Sequence, residues 1–302
     1  MTNISVVIPT CDRVKRLQRA LRSVDRQNLP ASVDMEVVVV NDGQVGSLSS
    51  LTSRYPVTLV ETGGYVGPAA ARNRGVEESA GEWIVFLDDD DVFTSHKIVR
   101  LYDLLPQHDV ICNGAEIRLV KEKIRYYSGV YQGKQWFRQL LIKNIVGGTS
   151  RVSVRRRSFR KVGGFCTDMT ALEDYELWIR MAKADMRFAS IDEPLTIYES
   201  VTQTSSVSKN VEKYDKAATQ ICNIYEEDYA LMTSSERTEH RQWVKSILAQ
   251  KHLLNGQNRE ASKIYWHVYR NSGSIKYAVM AILSIVWPDG LFYARKWLAR
   301  RW

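Results

Sequence analysis

Trp83-Ile84-Val85-Phe86-Leu87-Asp88-Asp89-Asp90-Asp91 is an apolar run followed at once by four carboxylates. A near-continuous apolar run of this length reads as a strand buried on both faces, the habit of parallel sheets covered by helices. In an open α/β sheet, ligands bind beyond the carboxyl ends of the strands, and the acids stand at that end. Adjacent carboxylates repel one another, so four together call for a hard cation or a network of donors. On an extended backbone Asp88 and Asp90 point to one side and face one ligand, while Asp89 points away. The competing reading is an acidic turn before a helix starting near Thr94-Ser95. A single Asp would do that work, which favours a metal and nucleotide role.

Outward from this stretch, Ile4 to Ile8, Glu36 to Val40, Val57 to Val60 and Asp109 to Cys112 read as further strands separated by helical or loop segments. The alternation predicts an α/β fold with a Rossmann-like, mixed but mostly parallel sheet flanked by helices. Val14, Leu17, Leu21 and Val24 recur at helical spacing, with Lys15, Arg16, Arg19 and Arg22 between them. They predict an amphipathic crossover helix whose basic face is solvated. The first strand runs out through Pro9-Thr10-Cys11-Asp12-Arg13 and the second through Asn41-Asp42-Gly43. Both place short acceptors where a base N–H or ribose hydroxyl could bind. A plain Asp-Gly turn and a helix cap at Asp12 are the alternatives. Gly63-Gly64-Tyr65-Val66-Gly67-Pro68 then leads into the small-residue helix Ala69-Ala70-Ala71-Arg72-Asn73-Arg74-Gly75. Arg72 has the forked donors to reach a diphosphate or to pin the acidic loop, and the two roles are compatible.

From Ile117 to Gly148 the pattern weakens, and Tyr126, Tyr127, Tyr131, Trp136 and Phe137 read as a packed aromatic edge in preference to an acceptor-side loop. Thr149 to Val154 reads as a strand, Gly163-Gly164 as a turn, and Leu172 to Ala184 as a helix opening on Glu173-Asp174. Acids favour a helix N-terminus whether or not they catalyse anything. A carboxylate there also suits a base that takes a hydroxyl proton. Ser200 to Asn210 reads as a polar linker, so the chain divides into 1–205 and a helix-patterned 206–302. A net charge of +8 points to an anionic partner without naming it. The scattered Cys11, Cys112, Cys166 and Cys222 argue against structural zinc or a disulfide framework and fit a reducing cytosol. The N-terminus lacks the order of a signal peptide, and Tyr277 to Trp287 is too short for a bilayer that needs about 20 apolar residues. Trp287, Trp297 and Trp302 beside Arg295, Lys296, Arg300 and Arg301 read either as a membrane-surface anchor or as a helix packed on the rest of the chain or on a second subunit.

In series, VVIPTCDR, VNDG, GPAAARNRG, FLDDDD, GGF and ALEDYELWIR resemble the family 2 glycosyltransferases with the GT-A fold, over roughly residues 1 to 200. The resemblance implies an inverting, metal-dependent enzyme. It would move one sugar from a nucleotide-diphosphate donor, commonly a UDP-sugar, to a hydroxyl of a glycan or lipid-linked glycan in bacterial surface polysaccharide assembly. By the same resemblance Pro9, Thr10, Asp12, Asp42, Arg72, Asp88 and Asp89 serve the donor, Asp90 binds Mn²⁺ or Mg²⁺, and Asp174 rather than Glu173 is the base. Residues 1–205 would be the catalytic GT-A domain and 206–302 a helical region for membrane-surface or oligomer contact. The expected location is the cytoplasm, at the inner membrane face, with no nucleic-acid partner. Two departures stand out. The histidine of many members after a Tyr-Arg pair is missing, the stretch reading Tyr198-Glu199-Ser200-Val201. The QxxRW motif of processive relatives is also absent, which favours single addition.

Three rivals frame these expectations. A nicotinamide oxidoreductase needs a glycine fingerprint where this chain has Pro9-Thr10-Cys11-Asp12. A basic nucleic-acid or glycan-binding protein leaves the tetra-aspartate run unexplained. An inactive transferase scaffold stays open through the missing histidine.

Overall fold

The computed structural model describes residues 2–119, 123–200, 210–288 and 290–291. The chain runs β1 (Thr2–Thr10), α1 (Val14–Asp25), β2 (Val33–Asn41), α2 (Ser49–Thr52), β3 (Thr58–Glu61), α3 (Pro68–Glu77), β4 (Trp83–Phe86), β5 (Asp91–Phe93) and α4 (Lys97–Tyr102). It continues through β6 (Val110–Leu119), β7 (Ile124–Ser128), α5 (Trp136–Ile142), β8 (Val152–Arg155), α6 (Arg156–Lys161), α7 (Glu173–Lys183) and β9 (Phe188–Ser200). Five helices follow: α8 (Val211–Ile224), α9 (Glu226–Ala230), α10 (Ser234–Leu254), α11 (Asn258–Ser272) and α12 (Ile275–Val286).

The strands form one mixed sheet in the order β3-β2-β1-β4-β8-β6-β9-β5, with β7 added beside β6. The first four pair in parallel. Antiparallel pairing enters with β8, which joins β4 to β6. After β3 the chain crosses back to the other side of β1 to lay down β4, and such a reversal opens a crevice beyond the carboxyl ends of the two strands. Thr10, Asp42 and Asp88 to Asp90 all lie at those ends.

Alternation along the central strands fills both faces. Val7, Ile84, Phe86, Val110 and Val154 pack on one side with α5 and α7, and Ile4, Val6, Ile8, Trp83 and Val85 on the other with α1 and α4. Leu17, Ala20, Leu21 and Val24 are the buried stripe of α1, whereas Val14 is 41% exposed. Each large apolar side chain so buried contributes about 1.5–3 kcal/mol. α3 approaches the sheet most closely at Gly75, where an added Cβ would stand 2.4 Å from Val7 Cγ1 and 2.9 Å from Val40 Cγ2.

Three expectations change. The basic face of α1 is not simply solvated, because Arg16 and Arg19 reach across to the acidic loop. The strand expected at Asp109 to Cys112 runs on to Leu119, since ladders with β9 and β7 satisfy its backbone on both sides. Thr149 to Arg151 forms a 3₁₀ turn, and β8 starts only at Val152. The aromatic stretch is a packed edge: Trp136 stacks on Phe188 at 5.1 Å and Tyr131 meets Trp136 edge-on at 5.0 Å. The polar linker and the last basic, Trp-rich residues lie mostly outside the described residues.

The expected boundary at 205/206 is crossed by one core. Ala217, Ile221, Tyr225 and Met232 pack in the same cluster as Leu140, Trp178 and Phe188. A smaller cluster of Ala249, Ala261, Tyr265 and Ala281 ties the end of α10 to α11 and α12. Among the described residues no helix is long and apolar enough to cross a membrane.

Candidate active site

Arg72 organises the crevice. It projects from α3 and is 6% exposed. Its Nη2 donates to Asp88 Oδ1 at 2.7 Å and its Nη1 to Glu173 Oε1 at 3.0 Å. One guanidinium therefore joins the acids that end β4 to those that open α7, two stretches that are far apart in sequence. Asp88, Glu173 and Asp174 together raise the Arg72 pKa against the effect of its burial. The Gly163-Gly164-Phe165 turn is fastened to the same helix, with Asn73 bonded to both the N–H and the carbonyl of Phe165.

The four consecutive aspartates separate by direction. Asp88 accepts from Arg72 and from Thr149 Oγ1 at 2.9 Å, while its own N–H donates to Ser150 Oγ. Asp89 turns inward, though in a turn closed by the Asp91 N–H on the Asp88 carbonyl at 3.0 Å and not on the extended backbone expected: it is fully buried, takes the Thr10 hydroxyl at 2.5 Å and pairs with Arg13 at 2.8 Å. Burial pushes its carboxyl up to about 6, opposed by Arg13 and Thr10. Asp90 is the outward acid, with its side chain 42% exposed. Arg16 stands 3.3 Å and Arg13 4.0 Å from its Oδ2, and Arg19 Nη2 donates to its carbonyl. Burial, then Asp88, raises the Asp90 pKa. Asp91 is buried against Ser150, and burial followed by Asp88 holds its carboxyl well above the ordinary range.

The other expected donor residues are placed differently from a ligand-facing set. Pro9 and Thr10 are buried within β1, and Thr10 is spent on Asp89. Asp12, at φ 55°, does not cap α1; it accepts from the Gln44 N–H and the Ser47 hydroxyl, and the Ser47 bond is the main reason its pKa is lowered. Asp42 accepts from Thr62 Oγ1 and from the N–H groups of Val66 and Gly67, each at 2.8 Å. Both acids thus shape the loops around the crevice.

Asp174 lies on the opposite wall in the first turn of α7. The helix starts after Leu172, which holds a left-handed φ of 57°, a conformation that costs a non-glycine residue about 1–2 kcal/mol. Asp174 Oδ1 accepts from the Tyr175 N–H at 2.7 Å, and Oδ2 lies on the side of Gly148. Close packing, then Glu173, pushes its carboxyl up to about 7, while the Tyr175 N–H and Arg72 work against the rise.

Sequence reasoning missed several neighbours. Ser150 and Thr149 sit in the 3₁₀ turn that floors the acid loop. Lys97, fully buried, reaches Ser150 O at 2.8 Å and Thr196 Oγ1 at 3.1 Å, and burial holds its pKa well below the usual lysine value. Tyr214 and Lys251 come from α8 and α10, with the ammonium 4.1 Å from the ring centroid. Burial lowers Lys251 to about 8 and the field of Asp174 opposes it, so these helices pack near Asp174. No spacing rule links Lys251 to a carboxylate 77 residues earlier. The helical pattern of α10 could have been read as such, but not its docking.

The arrangement can bind a charged ligand at one wall and accept a proton at the other. The family model for glycosyl transferase family 2 matches residues 5–163. A protein of Haemophilus influenzae named as an uncharacterized glycosyltransferase is 26% identical over 292 residues, covering 94% of this chain and 96% of its own. A Campylobacter jejuni GalNAc(5)-diNAcBac-PP-undecaprenol beta-1,3-glucosyltransferase is 28% identical over 107 residues, 33% of this chain and 34% of that one. Among solved structures, S. aureus TarS 1-349 in complex with UDP-GlcNAc superposes with a TM-score of 0.57 at 16% identity, covering 94% and 80% of the two chains. The mannosyltransferase PcManGT of Pyrobaculum calidifontis, in complex with GDP-Man and Mn²⁺, gives 0.58 at 16% identity over 98% and 84%. At such identities the likeness concerns the fold, which is the GT-A arrangement of a mixed sheet with helices. With more than half its length matched by the family model and the acid loop and helix acids joined through Arg72, the chain belongs to glycosyltransferase family 2.

Proposed function

We propose that this glycosyltransferase is inverting and metal-dependent, and moves one sugar from a nucleotide-diphosphate donor, a UDP-sugar by preference, to a hydroxyl of a glycan or lipid-linked glycan in surface polysaccharide assembly. The observation that carries the reading is the Arg72 bridge, which ties Asp88 of the β4 loop to Glu173, the residue before Asp174. The donor complexes of TarS and PcManGT and the lipid-linked acceptor named for the C. jejuni relative support the substrate classes. Transfer from an α-linked donor would then give a β-linkage.

The Asp88 and Asp90 side chains are 29% and 42% exposed, Asp88 against Arg72 and Asp90 against Arg13 and Arg16. Among the described residues no cluster of three or more His, Cys, Asp or Glu gathers around one point. One or two carboxylates, completed by substrate phosphates and water, are the set by which Mg²⁺ is ordinarily held, and the residues present fit it. Asp90, with Asp88 beside it, would hold the ion, which supplies charge to offset the leaving diphosphate. Arg13 and Arg16 face the same side and add positive charge toward the phosphates. Asp174 Oδ2 takes the proton of the incoming hydroxyl from the opposite wall. Donor contacts at Pro9, Thr10, Asp12, Asp42 and Asp89 belong to this reading as loop-shaping support more than as direct ligands. The exposed apolar face of α12 extends it to attachment at the inner face of the cytoplasmic membrane.

Two variants separate the roles. Asp90→Ala is expected to abolish the Mn²⁺-dependent part of UDP binding in calorimetry. Asp174→Asn should keep that binding within about twofold and lower turnover by about 10²–10⁴, the usual weight of a positioned base. Undiminished turnover in the second variant would refute the base assignment.

A further inference from the structure

From Arg151 to Cys166 the chain carries six cations and no acid. Two of them are spent inside the fold. Arg151 donates to the carbonyls of Asn113, Ser128 and Gly129, and Arg155 to those of Leu105 and Pro106, with Glu82 3.6 Å away. Arg156, Arg157 and Arg160, all on α6, instead line one open cavity of about 470 Å³ with Asn3, Ala80 and Glu82. Its floor is fixed by backbone: the Glu82 N–H donates to the Asn3 carbonyl at 2.9 Å, and the Arg156 N–H to the Glu82 carbonyl at 2.8 Å. Asn3 stands near the start of β1, Glu82 immediately before β4 and Arg156 immediately after β8. The cavity therefore lies at the end of the sheet opposite Thr10 and Asp88, and the crevice shares none of its residues.

Charge selects what can enter. Three guanidiniums meet one carboxylate there, and Glu82 already has Arg155 as a partner. Arg156 gives Nη1 to the Ser79 carbonyl, which anchors its side chain. Arg157 and Arg160 are exposed and, among the described residues, make neither an ion pair nor a hydrogen bond. Like charges three and four apart on one helix repel, so the cluster works against α6 until an anion compensates it. Guanidinium forks match phosphate oxygens two at a time, and the volume falls in the range of about 300–1,000 Å³ usual for small-ligand sites. A neutral sugar would leave the charge unanswered.

We propose that this cavity is a second anion site, which takes a ligand with neighbouring phosphate groups. Arg157 and Arg160 are its two open forks, and Arg156 is the anchored one. A soluble diphosphate and the headgroups of an anionic phospholipid present the same chemistry. Binding here is separate from sugar transfer and stands without it, because no residue of the cavity belongs to the crevice.

The test uses the full chain without divalent metal, so that pyrophosphate reports basic groups and not an ion in the crevice. One arm titrates inorganic pyrophosphate by calorimetry; the other sediments vesicles of phosphatidylcholine with cardiolipin, against phosphatidylcholine alone. Arg157→Gln with Arg160→Gln is expected to weaken binding in at least one arm by about tenfold or more, with an unchanged or higher Tm. Arg22→Gln with Arg26→Gln removes the same charge from exposed positions at the end of α1 and should change either arm by less than about twofold. Arg157→Lys with Arg160→Lys keeps the charge without the forks and should recover only part of the binding. A loss confined to pyrophosphate identifies a soluble ligand, and one confined to the vesicles a lipid surface. Failure of the wild type to bind either probe overturns the inference, as do equal losses in the two Gln pairs, which would reduce the effect to net charge.

Discussion

At the scale of single residues, the base proposed at Asp174 predicts the pH response. Its carboxyl is pushed up to about 7 by close packing and by Glu173. A base must be ionised to accept a proton, so kcat/KM is expected to fall as pH drops through about 7 and to level off above it; a profile flat between pH 5.5 and 8 would exclude Asp174 as the titrating base. The residue types were legible here. Four acids at a strand end and two at a helix start announced themselves, and alternation set Asp89 apart from Asp88 and Asp90, although the four residues close a turn. What alternation could not supply was the use made of each oxygen. Asp12 and Asp42 sit past their strands as expected, yet their lone pairs are taken by the Gln44, Val66 and Gly67 N–H groups, because loop closure beyond a strand has no periodicity to read. Tyr198 was noted only for the histidine that does not follow it.

At the scale of elements, α3 shows how tightly the crevice is built. Gly75→Ala would drive a methyl into Val7 and Val40. The expected loss is about 1–3 kcal/mol in urea-induced unfolding, together with weaker UDP binding as Arg72 shifts with its helix. The strands were legible from their apolar runs, since both faces are covered. The role of α1 was not: its basic stripe looks like any solvated face until the turn before β5 brings Asp90 and β9 brings Glu199 beneath it. α12 poses the opposite case, an apolar face left open among the described residues. Ile275, Val279, Ile282 and Val286 are each at least 47% exposed. If that face attaches to membrane, the full chain should float with anionic vesicles and a chain lacking residues 275–302 should not. Equal flotation of the two removes the attachment.

At the scale of the whole molecule, the core does not respect the compositional change near residue 205. Arg138 pairs with Glu236, Lys143 with Glu239, and His240 Nδ1 lies 3.1 Å from the Ile142 carbonyl. A chain ending at 205 should lose cooperative unfolding, whereas one ending at 256 should keep a single transition and nucleotide binding. Two transitions of similar size in the full chain would argue for independent units. Composition can announce a change from strands to helices, but not whether those helices share a core with what precedes them. The continuous packing of α5 and α7 with α8 to α10 carries a lesson for anyone building chimeras. A foreign tail grafted after β9 would strip the helices that complete the core around α5 and α7 along with the tail, so the workable seam lies beyond α10, where only α11 and α12 travel with the transplant.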